Sequence, residues 1–71
     1  GIADCVFVED GKLVIVDYKT DTGVDAEALL DRYSAQLGIY REALSQALGM
    51  PVKETLLYSF FMNSTVKVGT A

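Results

Sequence analysis

From Ile2 to Val8, and again from Leu13 to Tyr18, the chain is β-branched, aromatic or otherwise apolar, with Glu9-Asp10-Gly11-Lys12 between the two runs. Asp-Gly between such runs is a strong hairpin signal, because a two-residue type I′ turn requires positive φ at both central positions. Two antiparallel strands, 2–8 and 13–19, turning at Asp10-Gly11, are therefore expected. Thr20 to Val24 reads as a loop. Asp25 then suits a helix N-cap, with Glu27 in the first turn. Ala26, Leu29, Leu30, Tyr33, Leu37, Tyr40, Leu44, Ala47 and Leu48 recur mostly at spacings of three and four, which places them on one face of a helix over 25–48. Gly49 supplies the residue that follows a helix end, and Pro51 prevents continuation. A third strand is expected over 53–62. Asn63-Ser64-Thr65 reads as a turn before a short strand at Val66-Lys67-Val68. The order strand, strand, helix, strand gives an α/β (α+β) class with ββαβ architecture.

Composition narrows what this pattern can be. The chain has 71 residues, 51% hydrophobic and 23% charged, which describes a folded domain rather than a disordered segment. Charges at Asp4, Glu9, Asp17 and Lys19 cut every apolar run well short of the ~18 residues a membrane span needs. Cys5 has no second cysteine to pair with and is expected to be a buried, reduced thiol. With neither disulfides nor a Cys/His zinc set, a core of this size supplies only a few kcal/mol, so the chain reads as a piece of something larger. The formal net charge of -4 differs from the basic face usual in nucleic-acid binders. Contact with DNA would then have to lean on metal ions or on further polypeptide.

The hairpin register concentrates chemistry at one place. With Asp10 and Gly11 as loop residues, Glu9 faces Lys12, Val8 faces Leu13, Val6 faces Ile15 and Asp4 faces Asp17. Alternation along a strand then gathers Asp4, Asp17 and Lys19 at one end of an otherwise apolar face, in runs that look buried on both sides. Two carboxylates ~5 Å apart at an effective dielectric of about 20 repel by roughly 3 kcal/mol. A divalent cation held by carboxylate oxygens would offset that repulsion, and Mg²⁺ commonly combines one or two carboxylates with substrate phosphate. Lys19 or a proton would offset part of it. A frayed strand end with a surface Asp17-Lys19 ion pair is the plainer alternative. A metal held there would polarise a phosphoryl oxygen and activate water, with the lysine orienting it: phosphodiester hydrolysis. Glu9, Asp10, Asp21, Asp25 and Asp31 fall outside the converging set and read as turn, loop or surface charges.

On the helix, 100° per residue from Tyr33 puts Tyr40 at about -20° and Gln36 at about -60°, so Gln36 borders the apolar stripe and can reach inward. Tyr33 and Tyr40 otherwise read as core aromatics. Arg32 and Arg41 flank the stripe and are solvated unless they touch phosphate.

Gly1-Ile2-Ala3-Asp4, Val16-Asp17-Tyr18-Lys19-Thr20-Asp21 and Tyr33-Ser34-Ala35-Gln36-Leu37-Gly38-Ile39-Tyr40 resemble, in order, the G-x-x-D, D-Y-K-T and Y-x-x-Q-L-x-x-Y motifs of RecB-like nucleases in the PD-(D/E)XK superfamily. The wording is most similar to the C-terminal nuclease domain of AddA (RexA) helicase-nucleases. The resemblance implies a restriction-endonuclease-like fold, with Asp4 and Asp17 as metal-binding acids and Lys19 as the catalytic lysine. It matches the Tyr18 main-chain carbonyl to a metal-ligating position, and Gln36 and Tyr40 to a helix motif associated with the active site and DNA. It further implies a Mg²⁺- or Mn²⁺-dependent DNA exonuclease, in a bacterial cytoplasmic protein that couples an ATP-driven helicase to double-strand-break processing beside a second subunit. Relatives place a helix with a His or Glu ligand, and a strand, ahead of G-x-x-D, so the isolated stretch is expected to be inactive. Its bare sheet surface, with Ile39 on the polar side of the helix, is expected to drive homo-dimer formation. The competing expectation is a non-catalytic, nuclease-like module that binds a protein partner.

Overall fold

The computed structural model describes residues 5–69, and Asp4 and the other residues before Cys5 lie outside it. Within the described span the hairpin forms where Asp-Gly demands it. Asp10 and Gly11 take φ of 55° and 72°. They join β1 (Cys5–Glu9) to β2 (Lys12–Lys19) in an antiparallel pair whose register sets Val8 against Leu13, Val6 against Ile15 and Cys5 against Val16. This is the register the turn predicts.

The helix α1 (Ala26–Leu48) is set by its two ends. The Asp25 carboxylate accepts the Ala28 N–H at 2.9 Å, satisfying one of the donors a helix start leaves open. At the other end Gly49, at φ 64°, turns the chain left-handed and donates its N–H to the Ser45 carbonyl. The Pro51 carbonyl then accepts the Leu13 N–H at 2.8 Å, which delivers the chain to the side of β2. Having crossed the sheet as a helix, the chain enters β3 (Val52–Ser59) parallel to β2, and β4 (Ser64–Lys67) returns antiparallel to β3. The sheet order is β1-β2-β3-β4.

Two features depart from the expected pattern. The third strand ends at Ser59 rather than at residue 62, because the Ser59 hydroxyl accepts the Met62 N–H at 3.0 Å and Asn63 takes a φ of 52°, closing a tight turn. Ser64 and Thr65, expected in the turn, pair instead with Ser59 and Tyr58. The helix face is also less buried than its spacing suggests: Leu29 and Leu37 are enclosed, but Ala47 is exposed and Leu48 is 52% exposed.

Register decides which face of the sheet is covered. Leu57 lies level with Asp17 on one side and Val66 on the other, so the three share a face. Leu57, Val66 and Val68 form the core with Val24 of the loop and with Leu29 and Leu37 of the helix. Asp17 is thus on the covered side. The other face carries Tyr18, Tyr58 and Phe60, whose ring centroids lie 5.2 to 6.0 Å apart, and Phe7, which is exposed. The expectation of runs buried on both faces holds in β2 over Leu13, Val14 and Ile15, and fails at Tyr18 and along β1, where Val6, Phe7 and Val8 are exposed. Cys5 is half-buried rather than enclosed.

Candidate active site

Asp17 stands near the end of β2 on the helix side of the sheet and is only 2% exposed. A carboxylate there needs compensation, because burying an unpaired charge is expensive. Lys19, two residues on and therefore on the same face, supplies it: its Nζ is 3.1 Å from Asp17 Oδ2. That ammonium also lies 4.0 Å from the centroid of the Tyr33 ring, within reach of the ring's negative face. Tyr33 is presented by the second turn of α1, so the helix fixes where the lysine head can go.

The cluster extends further through a residue that the strand pattern does not single out. Asp21 Oδ2 accepts the Tyr33 hydroxyl at 2.7 Å and the Arg32 guanidinium at 2.8 Å. These two hydrogen bonds, from Tyr33 first and then Arg32, hold the Asp21 carboxyl below its ordinary 3.8, and the same Tyr33 bond holds the hydroxyl above its ordinary 10.0. Asp21 reads from the sequence as a plain loop charge and Tyr33 as a plain core aromatic. Together they instead brace Lys19 from the helix side. The D-Y-K-T-D spelling, followed by Arg-Tyr in the helix, is the signal that points to them.

The remaining expected site residues do not all gather there. Asp4 lies outside the described residues. Tyr18 turns its ring to the opposite face, against Tyr58 and Phe60. Gln36 is exposed and Tyr40 half-buried, and neither is joined to the Asp17-Lys19 pair by a hydrogen bond or ion pair. Arg32 is held by Asp21, and Glu9 and Asp10, expected to be turn charges, are held by Lys53. Among the described residues no set of three or more acidic, cysteine or histidine side chains gathers in one place.

The donors at hand still suit a hard cation. The buried Asp17 carboxylate and the neighbouring main-chain carbonyl of Tyr18 are oxygen ligands of the kind Mg²⁺ and Mn²⁺ take. The chain has no histidine, and Cys5 lies level with Val16 rather than with Asp17.

Comparison with known proteins identifies the family. The family model of the PD-(D/E)XK nuclease superfamily matches residues 1–70. Among curated proteins, an ATP-dependent helicase/nuclease of Clostridium botulinum (strain 657 / Type Ba4) has a subunit that is 43% identical over 68 residues, which is 96% of this chain and 5% of that protein. The protein of the same name from Alkaliphilus oremlandii (strain OhILAs) is 43% identical over 70 residues, 96% of this chain and 6% of its own length. The chain thus spans about one-twentieth of the curated relatives it matches. No helix among the described residues is long and apolar enough to cross a membrane. The chain, with its buried acid and adjacent lysine on a strand of a mixed sheet, belongs to the PD-(D/E)XK nuclease superfamily.

Proposed function

We propose that this chain is the core of a divalent-metal-dependent DNA exonuclease domain that hydrolyses phosphodiester bonds within a helicase-nuclease engaged in double-strand-break processing. The observation that carries the reading is the buried Asp17 carboxylate, 3.1 Å from the Lys19 ammonium, on the covered face of the sheet. Burial keeps the carboxylate from being an ordinary surface charge, and the lysine is held against an aromatic ring rather than left to sample solvent.

In this reading Asp17, Asp4 and the Tyr18 carbonyl hold Mg²⁺ or Mn²⁺. The cation supplies polarisation of the scissile phosphoryl group and a lowered pKa for bound water. Lys19 orients the attacking water and offsets charge that builds on the phosphate. Tyr33 positions Lys19, and Asp21 and Arg32 position Tyr33. Gln36 and Tyr40 serve the DNA along the helix. The partners are DNA, a second subunit of the parent complex and, for the chain taken alone, a second copy of itself packed on the open aromatic face.

The test is cleavage of an end-labelled DNA duplex by the polypeptide that carries this chain, with Mg²⁺ or Mn²⁺ present. Degradation from an end that is lost in Asp17→Asn, with the circular dichroism spectrum unchanged, is the expected result. Equal degradation by the variant, or none by either protein under any divalent cation, favours a nuclease-like module that only binds a partner.

A further inference from the structure

The chain's basic residues are not spread evenly. Of the six, Lys19 and Arg32 belong to the site above, while Lys12, Arg41, Lys53 and Lys67 all line one cleft of about 260 Å³ at the other end of the sheet. Sequence separation hides this gathering. Lys12 opens β2, Arg41 lies in the second half of α1, Lys53 is the residue at the irregularity that starts β3, and Lys67 closes β4. Because β3 runs parallel to β2 and β4 returns beside it, these four positions converge.

The charges there are largely uncommitted. Lys53 is bound to Glu9 and Asp10, but Lys12, Arg41 and Lys67 make no ion pair among the described residues. Glu54 is the one acidic residue in the lining. In a chain of net charge -4, this is where positive charge is concentrated.

A second, independent observation lies in the floor of the cleft. Thr55 is 4% exposed and lines both this cleft and an adjoining cavity of about 120 Å³ that shares Arg41. Its hydroxyl Oγ1 is enclosed and has no hydrogen-bond partner among the described residues. A buried hydroxyl without a partner costs stability, and valine of nearly the same shape would avoid that cost. Thr55 is level with Ile15 and so lies on the helix side of the sheet, where it shares a cavity with Arg41. A hydroxyl donor near an arginine suits a phosphate oxygen, and Arg41 is able to offer paired N–H donors.

We infer that this cleft binds a backbone phosphate of a nucleic-acid strand, as a second anchoring point remote from the Asp17-Lys19 pair. Lys12 and Asp17 are about 17 Å apart along β2, the reach of several nucleotides of extended strand. The anchor positions the strand and reads no sequence, since phosphate contacts carry none. It rests on the DNA reading above for the identity of the strand, although not on any step of the hydrolysis.

The test is equilibrium binding of a fluorescein-labelled single-stranded oligonucleotide in EDTA, across a series of salt concentrations, so that no divalent cation takes part. The Lys12→Gln/Arg41→Gln double variant is expected to bind more weakly and to flatten the plot of log K against log salt by about 1. Thr55→Val is expected to weaken binding while melting no lower than the parent protein. Unchanged affinity and slope in the double variant would overturn the proposal. So would a Thr55→Val protein that melts earlier yet binds equally well, because the hydroxyl would then be serving the fold. If inorganic phosphate is bound in a way the double variant loses while the oligonucleotide is not bound, the cleft takes a free anion and the strand assignment is wrong. Should the cleft fail these tests while Asp17→Asn still abolishes metal-dependent cleavage, only the anchor falls; the reverse pattern removes the nuclease reading and leaves the anchor.

Discussion

At the scale of single residues, what matters most is how Lys19 is held. A lysine in water has many rotamers; this one sits between a carboxylate and an aromatic face. Lys19→Gln keeps much of the length and loses the charge, so cleavage is expected to fall by about 10²- to 10³-fold. The melting temperature is expected to fall as well, because the buried Asp17 carboxylate loses its partner. Tyr33→Phe keeps the ring under the ammonium and removes only the bond to Asp21, so a much smaller fall is expected, whereas Tyr33→Leu should approach the Lys19→Gln value in the same kinetic assay. Asp21 gives a pH signature. Its carboxyl lies lower in the folded chain than its ordinary 3.8, so its contribution is complete above that value and disappears as pH falls through the lower, folded one. The melting-temperature difference between the parent protein and Asp21→Asn should therefore be constant near neutrality and shrink on acidification. The Tyr33 hydroxyl, raised above 10.0 by the same bond, works in the opposite sense: its share persists below that value and is lost as pH rises through the raised one. The residue-level site was only partly legible in the sequence. Spacing put Asp17 and Lys19 on one side of a strand, but a residue in a loop such as Asp21 has no periodicity, and its link to Tyr33 and Arg32 exists only once the helix has docked.

At the scale of elements, local chemistry was the better guide. Asp10-Gly11, Asp25 and Gly49 each occupy a position whose backbone demands that residue type, and each terminates an element where the sequence predicts. What local chemistry could not give was the pairing of β3, which is parallel to β2 because α1 carries the chain back across the sheet, or the early end of β3 at Ser59. The helix also divides into unequal halves. Leu29 and Leu37 sit against Leu57 and Val66, whereas Leu48 lies beyond the sheet. Leu37→Ala should cost about 2–5 kcal/mol in denaturant unfolding, and Leu48→Ala well under about 1 kcal/mol. Equal costs would mean that the last turns of the helix are covered in solution. Asp25→Ala, which removes the bond to the Ala28 N–H, should cost about 1 kcal/mol.

At the scale of the molecule, charge and apolar surface are both segregated. The acid and its lysine lie toward one end of the sheet, four basic residues line a cleft at the other end, and the aromatic residues Tyr18, Tyr58 and Phe60 lie on the uncovered face. Ile39, read from the helical wheel as outward-facing, is 74% exposed. A chain this small with one sheet face open is expected to self-associate, and sedimentation at rising concentration should show a shift from monomer to dimer that Phe60→Ser weakens. The class and element order could be read in advance because hydrophobic period and turn residues encode them directly. The basic cleft could not, since its four cations are brought together by sheet topology rather than by any local pattern. The central claim, that Asp17 with Lys19 beside it forms a divalent-cation site, is tested most directly by thermal denaturation across a Mn²⁺ titration of the parent protein and Asp17→Asn. At about 100 times the dissociation constant a cation bound to the folded state adds about 2.7 kcal/mol, a shift of several degrees or more in a domain of this size. The expected result is that shift in the parent protein and its absence in the variant; the same shift in both, or in neither, would contradict the claim.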